Sequence, residues 1–122
     1  MHRHKATVTA IRVQDMEAAQ QRRGADSLVS ISGRITIDSS PELRLLLLQV
    51  LETAECEGLT VDLYEVGYVD TSGLAIMLEV LRAARGLKKT FHLSGLRDRP
   101  RYLLEATRLL HLFDEVARDV EQ

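Results

Sequence analysis

Three segments of this chain carry apolar side chains at helical spacing, and segments typical of β-strands lie between them. The apolar stripes predict amphipathic helices over residues 40–54, 72–85 and 100–110. Residues 59–64 and 90–93 have the composition and alternation of strands. Because the helices must bury their apolar stripes against a shared surface, the sequence predicts an α/β fold, with a mixed or largely parallel sheet and amphipathic helices packed against it.

The first third of the chain is expected to contribute mainly strands. Residues 5–13 fit an edge strand, and residues 27–31 alternate well enough to form another strand. Residues 14–26 are polar and contain Gly24 near their end, which predicts a loop or a hairpin connection. Gly33 marks either a bulge or a close approach of two backbone segments.

The first helix has two candidate starts. Ser40 followed by Pro41 fits an N-cap with proline in the first turn, whereas Ser39 with Glu42 fits a capping box. The pattern leaves both open.

The helix ends are predicted from glycines and from the last apolar residues. Gly58 is expected to end the first helix, and Gly86 lies where a C-terminal cap of the second helix belongs. In the third helix, Thr107 is expected on the inward face with the leucines around it. Residues 112–116 fit either a short strand or a further helical turn.

The overall composition is that of one globular domain. The 122 residues are 45% hydrophobic and 28% charged, and the formal net charge is -2. We expect one domain over residues 1–122, with a core at about 6–116 and disorder at 1–5. The small net charge gives no reason to expect nucleic-acid binding or attraction to a membrane surface.

The cellular location is predicted from two absences. Cys56 is the single cysteine, so the sequence excludes an internal disulfide and a multi-cysteine metal site, as is common in a reducing cytoplasm. No signal-peptide pattern follows Met1, and the apolar run at 45–51 is too short to cross a bilayer. The expected location is cytoplasmic, without membrane insertion.

The most informative segment is residues 61–74, in which a strand and a short loop lead to a helix start that is rich in hydroxyl groups. Ser72 can serve as an N-cap there, or as a phosphate acceptor whose charge the helix start would stabilise. Gly73 is expected to leave the hydroxyl uncrowded. Asp70 can cap the helix or orient the acceptor, and spacing alone does not choose between these roles.

The run Asp70-Thr71-Ser72-Gly73-Leu74, after a strand and a short loop, resembles the signature of STAS domains. The similarity covers most of the chain after about residue 27. It implies a STAS-like fold and implies that Ser72 is the phosphorylated residue, with Thr71 as a second candidate acceptor.

The resemblance also implies a function. It indicates an anti-sigma factor antagonist, which binds an anti-sigma factor that is often a serine kinase. Phosphorylation of Ser72 by that kinase would break the complex, and a PP2C-type phosphatase would restore it. The domain would act as a substrate and not as an enzyme, and it would need no cofactor.

Two other functions stay open. The chain can be a non-phosphorylated STAS subunit of a lipid-transport ABC system or of another membrane transport assembly. Some of those subunits resemble this chain at Asp70-Thr71 and at Leu74-Ala75. A scaffold or sensor role in a larger signalling complex is the third hypothesis.

The partner-binding surface is expected where the loops at 34–40 and 68–70 converge beside the second helix start at 71–73. The candidate contact residues are Asp38, Tyr68, Asp70, Thr71, Ser72 and Gly73.

One position departs from the resemblance. Relatives usually carry Thr-Gly-Leu after the third helix, whereas this chain has Thr107-Arg108-Leu109. Since a left-handed backbone is costly at a residue other than glycine, we expect the helix to continue through Arg108.

The remaining polar residues predict no catalytic or metal site. His2 and His4 lack a third ligand, and His92 and His111 stand alone. Asp62 is expected to bond loop amides.

The basic run near the third helix is interrupted by acids and is interpreted as a solvated face. That run comprises Arg97, Arg99, Arg101 and Arg108.

Overall fold

The computed structural model describes residues 8–118, which form one six-stranded sheet with three α-helices. The strands are β1 (Val8–Val13), β2 (Met16–Arg23), β3 (Asp26–Ile35), β4 (Gly58–Val69), β5 (Thr90–Ser94) and β6 (Asp114–Glu115). The helices are α1 (Ser40–Glu52), α2 (Thr71–Leu87) and α3 (Asp98–Ala106), and a 3₁₀ turn follows at Leu110–Leu112.

The sheet is mixed, and its strands lie in chain order. Strands β1, β2 and β3 pair antiparallel through two tight turns, whereas β3 to β6 pair in parallel. Helices α1, α2 and α3 connect the parallel strands in turn, because parallel neighbours need a crossover. The α/β prediction is confirmed.

The prediction for residues 14–26 is wrong, because β2 occupies Met16–Arg23. Of its side chains only Met16 and Ala18 are fully buried, and the others are mostly polar. The segment has too few apolar residues to reveal the alternation of a strand. It becomes extended because β1 and β3 supply hydrogen-bond partners on both sides, and such a context overrides local preference.

Gly33 marks a close backbone approach, as predicted. Its φ is +95°, and a Cβ there would lie 1.9 Å from the carbonyl oxygen of Asp15. The Arg34 amide donates to that same oxygen at 3.0 Å. The pairing of β3 with β4 also shifts register beside Gly33, so this position combines the bulge and the close contact.

The core lies between the sheet and the apolar faces of α1 and α2. Leu46 is buried and Leu78 is partly buried, in agreement with the predicted stripes. The most fully buried aliphatic side chains from sheet and helices are Val29, Ile31, Ile35, Leu43, Leu47, Leu51, Leu59, Val61, Val80 and Leu93. Within residues 8–118, no helix is long and apolar enough to span a membrane.

Neither glycine that was expected to end a helix does so. Helix α1 ends at Glu52, and Gly58 instead begins β4. Helix α2 runs through Gly86 to Leu87, and Lys88 adopts the left-handed conformation with φ 60°. The Lys88 amide bonds the carbonyl groups of the last turn, which is the cap that glycine often provides.

The predicted continuation of the third helix through Arg108 is also wrong. Helix α3 begins at Asp98, ends at Ala106, and Arg108 has φ 61°. Arg108 and Leu109 donate their amides back to the carbonyls of Glu105 and Leu104. These two bonds help to offset the strain that disfavoured this conformation at an arginine.

The structure after α3 corrects the prediction for Thr107 and resolves the alternative that was open for residues 112–116. Thr107 is exposed rather than inward, and its hydroxyl donates to the carbonyl of Leu103 at 2.7 Å. The 3₁₀ turn and then β6 follow, so a helical turn and a short strand both occur over residues 110–115. His2, His4 and the predicted disorder at 1–5 lie outside the described residues.

Candidate functional site

The site is the junction at which β4 leads into α2. Asp70 is the N-cap: its Oδ1 accepts the amides of Ser72 at 2.9 Å and Gly73 at 3.2 Å. The helix itself begins at Thr71. The interpretation of Ser72 as the cap is therefore wrong, because Asp70 satisfies the free amides of the first turn.

The Ser72 hydroxyl lies in a short chain of polar groups. It donates to Asp70 Oδ1 at 2.5 Å, and its oxygen lies 3.2 Å from Ser40 Oγ. Ser40 Oγ also lies 2.7 Å from the carbonyl of Thr36. Because each hydroxyl has one hydrogen, Ser40 bonds Ser72 only when it turns its hydrogen away from Thr36.

The second oxygen of Asp70 fixes the loop between β3 and α1. Its Oδ2 accepts the Ile37 amide at 3.1 Å, and the Asp70 amide donates to the carbonyl of Ile35 at 3.1 Å. The loop presents Ile37 with 71% of its surface exposed, beside the exposed Asp38. One carboxylate thus links the helix start, the Ser72 hydroxyl and the loop.

These contacts favour the ionised form of Asp70. Partial burial opposes ionisation, but the hydroxyl of Ser72 and the amides of Gly73, Ile37 and Ser72 outweigh it, so the pKa of Asp70 lies below its ordinary value. The carboxylate is a charged acceptor for the Ser72 hydroxyl at neutral pH.

The two helices that carry Ser40 and Ser72 are also joined by an ion pair, one turn beyond Ser40 and two turns beyond Ser72. Arg44 on α1 donates through Nε to both carboxylate oxygens of Glu79 on α2, at 2.9 and 2.8 Å. Glu79 raises the pKa of Arg44, and Arg44 lowers the pKa of Glu79. This ion pair bridges exposed faces of the two helices that carry the serines.

Gly73 has a different role from the predicted one. A Cβ at Gly73 would lie 2.7 Å from Ile35 Cγ2 and 3.0 Å from Val69 Cγ1. Those atoms belong to the sheet, so the missing side chain lets α2 approach the ends of β3 and β4. Gly73 is buried, so its missing side chain does not widen the space around the Ser72 hydroxyl at the surface.

The structure brings most of the predicted surface together. Ser72 and Asp70 are half-buried, Thr71 and Asp38 are exposed, and Tyr68 is half-buried at the end of β4. These residues comprise, with Gly73, the predicted contact set Asp38, Tyr68, Asp70, Thr71, Ser72 and Gly73.

Two residues of the site were expected only as members of the loop at 34–40. Neither Ser40 nor Ile37 was named as a contact residue, although both contact the junction. Their partners lie 32 and 33 residues further along the chain. The only usable signal was that their loop was expected beside the helix start.

The other polar candidates lie elsewhere. Asp62 is buried and bonds side chains rather than loop amides: Ser94 Oγ at 2.8 Å, and Arg118 Nε at 3.2 and 3.1 Å. His92 is half-buried on β5, and His111 is exposed. In the part of the chain from residue 8 to 118, no group of three metal-ligating side chains is found.

The fold resembles those of several solved proteins, which include anti-sigma factor antagonists. One from Mycobacterium paratuberculosis has a TM-score of 0.70 and 23% identity, over 89% of this chain and 85% of its own. Phosphorylated SpoIIAA from Bacillus has a TM-score of 0.61 and 10% identity, over 90% and 91%. A serine-to-glutamate variant of RsbS from Moorella thermoacetica has a TM-score of 0.65 and 23% identity, over 92% and 87%.

A family model agrees with these structural similarities. The model described as "Mlab, STAS domain" matches residues 18–114, which include most of β2, all of β3 to β5 and all three helices. The matched range contains both the loop at 36–38 and the helix start at Asp70–Gly73. The chain therefore belongs to the STAS domain family.

Proposed function

We propose that this domain is an anti-sigma factor antagonist that binds an anti-sigma factor with serine kinase activity and is controlled by reversible phosphorylation of Ser72. The observation that carries the proposal is the half-buried Ser72 hydroxyl held against the Asp70 carboxylate at a helix start. The fold similarity to anti-sigma factor antagonists supports the same role.

The geometry suits a phosphate acceptor. Asp70 accepts the hydroxyl hydrogen, which fixes the orientation of the Ser72 oxygen and leaves lone-pair density for attack on a phosphoryl group. The first turn of α2 stabilises negative charge through its dipole. The phosphorylated domain is thus expected to stay folded.

The same geometry provides a way to change the partner surface. A phosphate on Ser72 would place about -1.5 to -2 charges beside the Asp70 carboxylate, and the two groups would repel each other. Asp70 also holds the Ile37 amide, so displacement of the carboxylate would release the loop at 36–38. Exposed Ile37 and Asp38 would then lose the position in which the kinase binds them.

The interface can supply the change in binding free energy that this switch requires. A shift of the bound fraction from 99:1 to 1:99 needs about 5.5 kcal/mol of differential affinity. Loss of an apolar contact at Ile37 and insertion of a dianion into the interface contribute in the same direction. A PP2C-type phosphatase would reverse the change by removing the phosphate.

The test uses a candidate anti-sigma kinase encoded beside this gene, with Mg²⁺ and ATP. Mass spectrometry should find one phosphate, on Ser72, and calorimetry should find that phosphorylation weakens kinase binding about 100-fold or more. Ser72→Ala should bind without being switched off. Thr71→Ala should still be phosphorylated on Ser72. The matched binding control is Thr53→Ala, which removes an exposed hydroxyl at the opposite end of α1 from Ser40, and it should be phosphorylated and released as the unmodified chain is.

A transport role is the second candidate, and the structure gives it one support. The Ser72 hydroxyl already has a structural partner in Asp70, so this serine has a role that requires no phosphate. A phosphate found elsewhere, or full kinase binding by the phosphorylated form, would contradict the switch. Stable association with a permease and an ATPase would then favour a subunit of a lipid-transport ABC system.

A further inference from the structure

Two tyrosines of β4 are each covered by two arginines. The guanidinium carbons of Arg97 and Arg118 lie 4.1 and 4.2 Å from the ring centre of Tyr64. Those of Arg34 and Arg99 lie 4.3 and 5.6 Å from the ring centre of Tyr68. Such distances are typical of cation–π contacts.

In the Tyr64 cluster, which comprises Tyr64, Arg97 and Arg118, the guanidinium N–H groups donate hydrogen bonds to other groups of the chain. Arg97 donates through Nε to the carbonyl of Tyr64 at 2.8 Å and through Nη1 to Asp98 at 3.1 Å. Arg118 donates through Nε to both oxygens of Asp62. These arginines therefore have internal hydrogen-bond partners as well as the ring contact.

In the Tyr68 cluster, which comprises Tyr68, Arg34 and Arg99, the guanidinium groups lack such internal partners among the described residues. Over residues 8–118, the guanidinium groups of Arg34 and Arg99 make no hydrogen bond or ion pair, and both residues are exposed. Contact with a ring engages the face of a guanidinium and leaves its N–H edge available for a carboxylate, with two parallel hydrogen bonds. The ring also restricts two flexible side chains before any ligand arrives, which lowers the entropic cost of binding.

We propose that Arg34 and Arg99, held over Tyr68, bind carboxylate groups of an acidic segment on the partner protein. This inference rests on the proposed function for the partner's identity, and it extends the contact surface from the Ser72 junction to the start of α3. Tyr68 is two residues before Asp70, and Arg34 begins the chain segment that leads to Ile37. Carboxylates bound there would lie next to the junction.

A protein ligand is favoured over a nucleic acid by the surrounding charge. Asp38 is exposed in the loop that follows Arg34, and Asp98 is exposed beside Arg99. A continuous phosphate backbone would meet these carboxylates, whereas separate acidic side chains can avoid them. The chain as a whole has a net charge of -2, which gives it no general attraction to nucleic acid.

The probe is an octaglutamate peptide, titrated at low ionic strength into the isotope-labelled chain and followed by nuclear magnetic resonance. We expect shifts in the Arg34 and Arg99 side-chain Nε–H signals and in the Tyr68 ring signals. The double variant Arg34→Gln/Arg99→Gln should lose about tenfold or more in affinity. The corresponding double lysine variant should lose part of the affinity, since lysine keeps the charge but not the paired hydrogen bonds.

The matched control is Arg82→Gln, which removes the same charge from an exposed position on α2. Its octaglutamate affinity should stay near that of the unmodified chain. An equal loss in this control and in either single variant, Arg34→Gln or Arg99→Gln, would overturn the proposal. Tighter binding of a single-stranded oligothymidylate by the same arginines would overturn it in favour of nucleic acid.

The outcome is separable from that of the phosphorylation switch. Octaglutamate binding requires neither kinase nor phosphate, so it is measured on the unphosphorylated chain in the absence of any kinase. Failure of the arginine test leaves the Ser72 experiment intact. Failure of the Ser72 experiment leaves an acidic-segment site whose partner is not a kinase.

Discussion

Two aspartates along β4 form the same kind of contact in opposite surroundings. Asp62, within the strand, accepts the hydroxyl of Ser94 at 2.8 Å. Asp70, immediately after the strand, accepts the hydroxyl of Ser72 at 2.5 Å. Each carboxylate has further donors, from Arg118 at Asp62 and from three backbone amides at Asp70.

Burial separates the two pairs. Asp62 is 5% exposed and Ser94 2% exposed, so that pair is part of the interior. Ser72 and Asp70 are half-buried, and their hydrogen bonds come from a loop and a helix start. The comparison shows that a serine–aspartate contact becomes a candidate switch only where the surrounding backbone lets another protein reach it.

The largest expected effect comes from the glycine beside the buried pair. Gly95 has φ +70°, and an added Cβ would lie 2.7 Å from Asp62 Oδ1 and from the backbone nitrogen of Tyr64. Gly95→Ala should lower the free energy of unfolding by about 4 kcal/mol, measured by urea denaturation.

Gly73→Ala is the matched glycine change at the open pair. Its Cβ would meet the side chains of Ile35 and Val69 rather than backbone, its φ is not left-handed, and alanine favours a helix over glycine. The loss should be clearly smaller than for Gly95→Ala. Equal losses would show that the two sites are equally tightly packed.

Removal of the carboxylate should lower the free energy of unfolding more at the buried pair than at the open pair. Asp62→Ala leaves a buried hydroxyl and a guanidinium without their acceptor and should cost about 3 kcal/mol. Asp70→Ala removes a helix cap near the surface and should cost about 1 kcal/mol. Thermal unfolding of both variants measures the difference, and a reversed order would contradict the assignment of Asp62 as the interior residue.

The serines should follow the same order with smaller effects. Ser94→Ala should lower the unfolding free energy by about 2 kcal/mol, because a buried charge loses a donor. Ser72→Ala should cost about 1 kcal/mol or less, since Asp70 keeps the amides that cap α2. Urea denaturation of both variants tests this, and a loss at Ser72 as large as at Ser94 would show that its hydroxyl is structural.

The smallest effect is a dependence on pH. The pKa of Asp70 in the folded chain lies below its ordinary value of 3.8, so its ionised form stabilises the fold above that value. This contribution is lost as pH falls through the lower, folded pKa. Unfolding measured from about pH 5 to about pH 2 should show a shallower decline for Asp70→Asn than for the unmodified chain. Parallel curves would mean that the hydrogen bonds do not favour the carboxylate.

Local pattern was sufficient for much of the molecule. The leucine stripes placed α1 and α2, and the apolar alternation placed the central part of β4, because each pattern follows from the geometry of a single element. The segment Asp70–Gly73 could be identified as a helix start for the same reason. The alternation of these elements gave the α/β class and, with the motif, the family.

Contacts between distant segments were not available from local pattern. Strand β2 exists because two neighbouring strands pair with it, and its own residues show almost no alternation. Arg108 adopts a left-handed backbone, and two hydrogen bonds to the preceding turn help to hold it. In each case, hydrogen bonds to other segments outweigh the conformational preference of the local sequence.

The sequence by itself determined that Ser72 and Asp70 stand at the start of an amphipathic helix after a buried strand. Only the tertiary structure decided which of them caps the helix, and that Ser40 and Ile37 contact them. It also decided that Asp62 is bonded by Arg118, which lies 56 positions further along the chain. The physical reason is that spacing along a chain fixes neighbours within one element. Hydrogen bonds between elements depend on how the sheet and helices pack, which no single segment specifies.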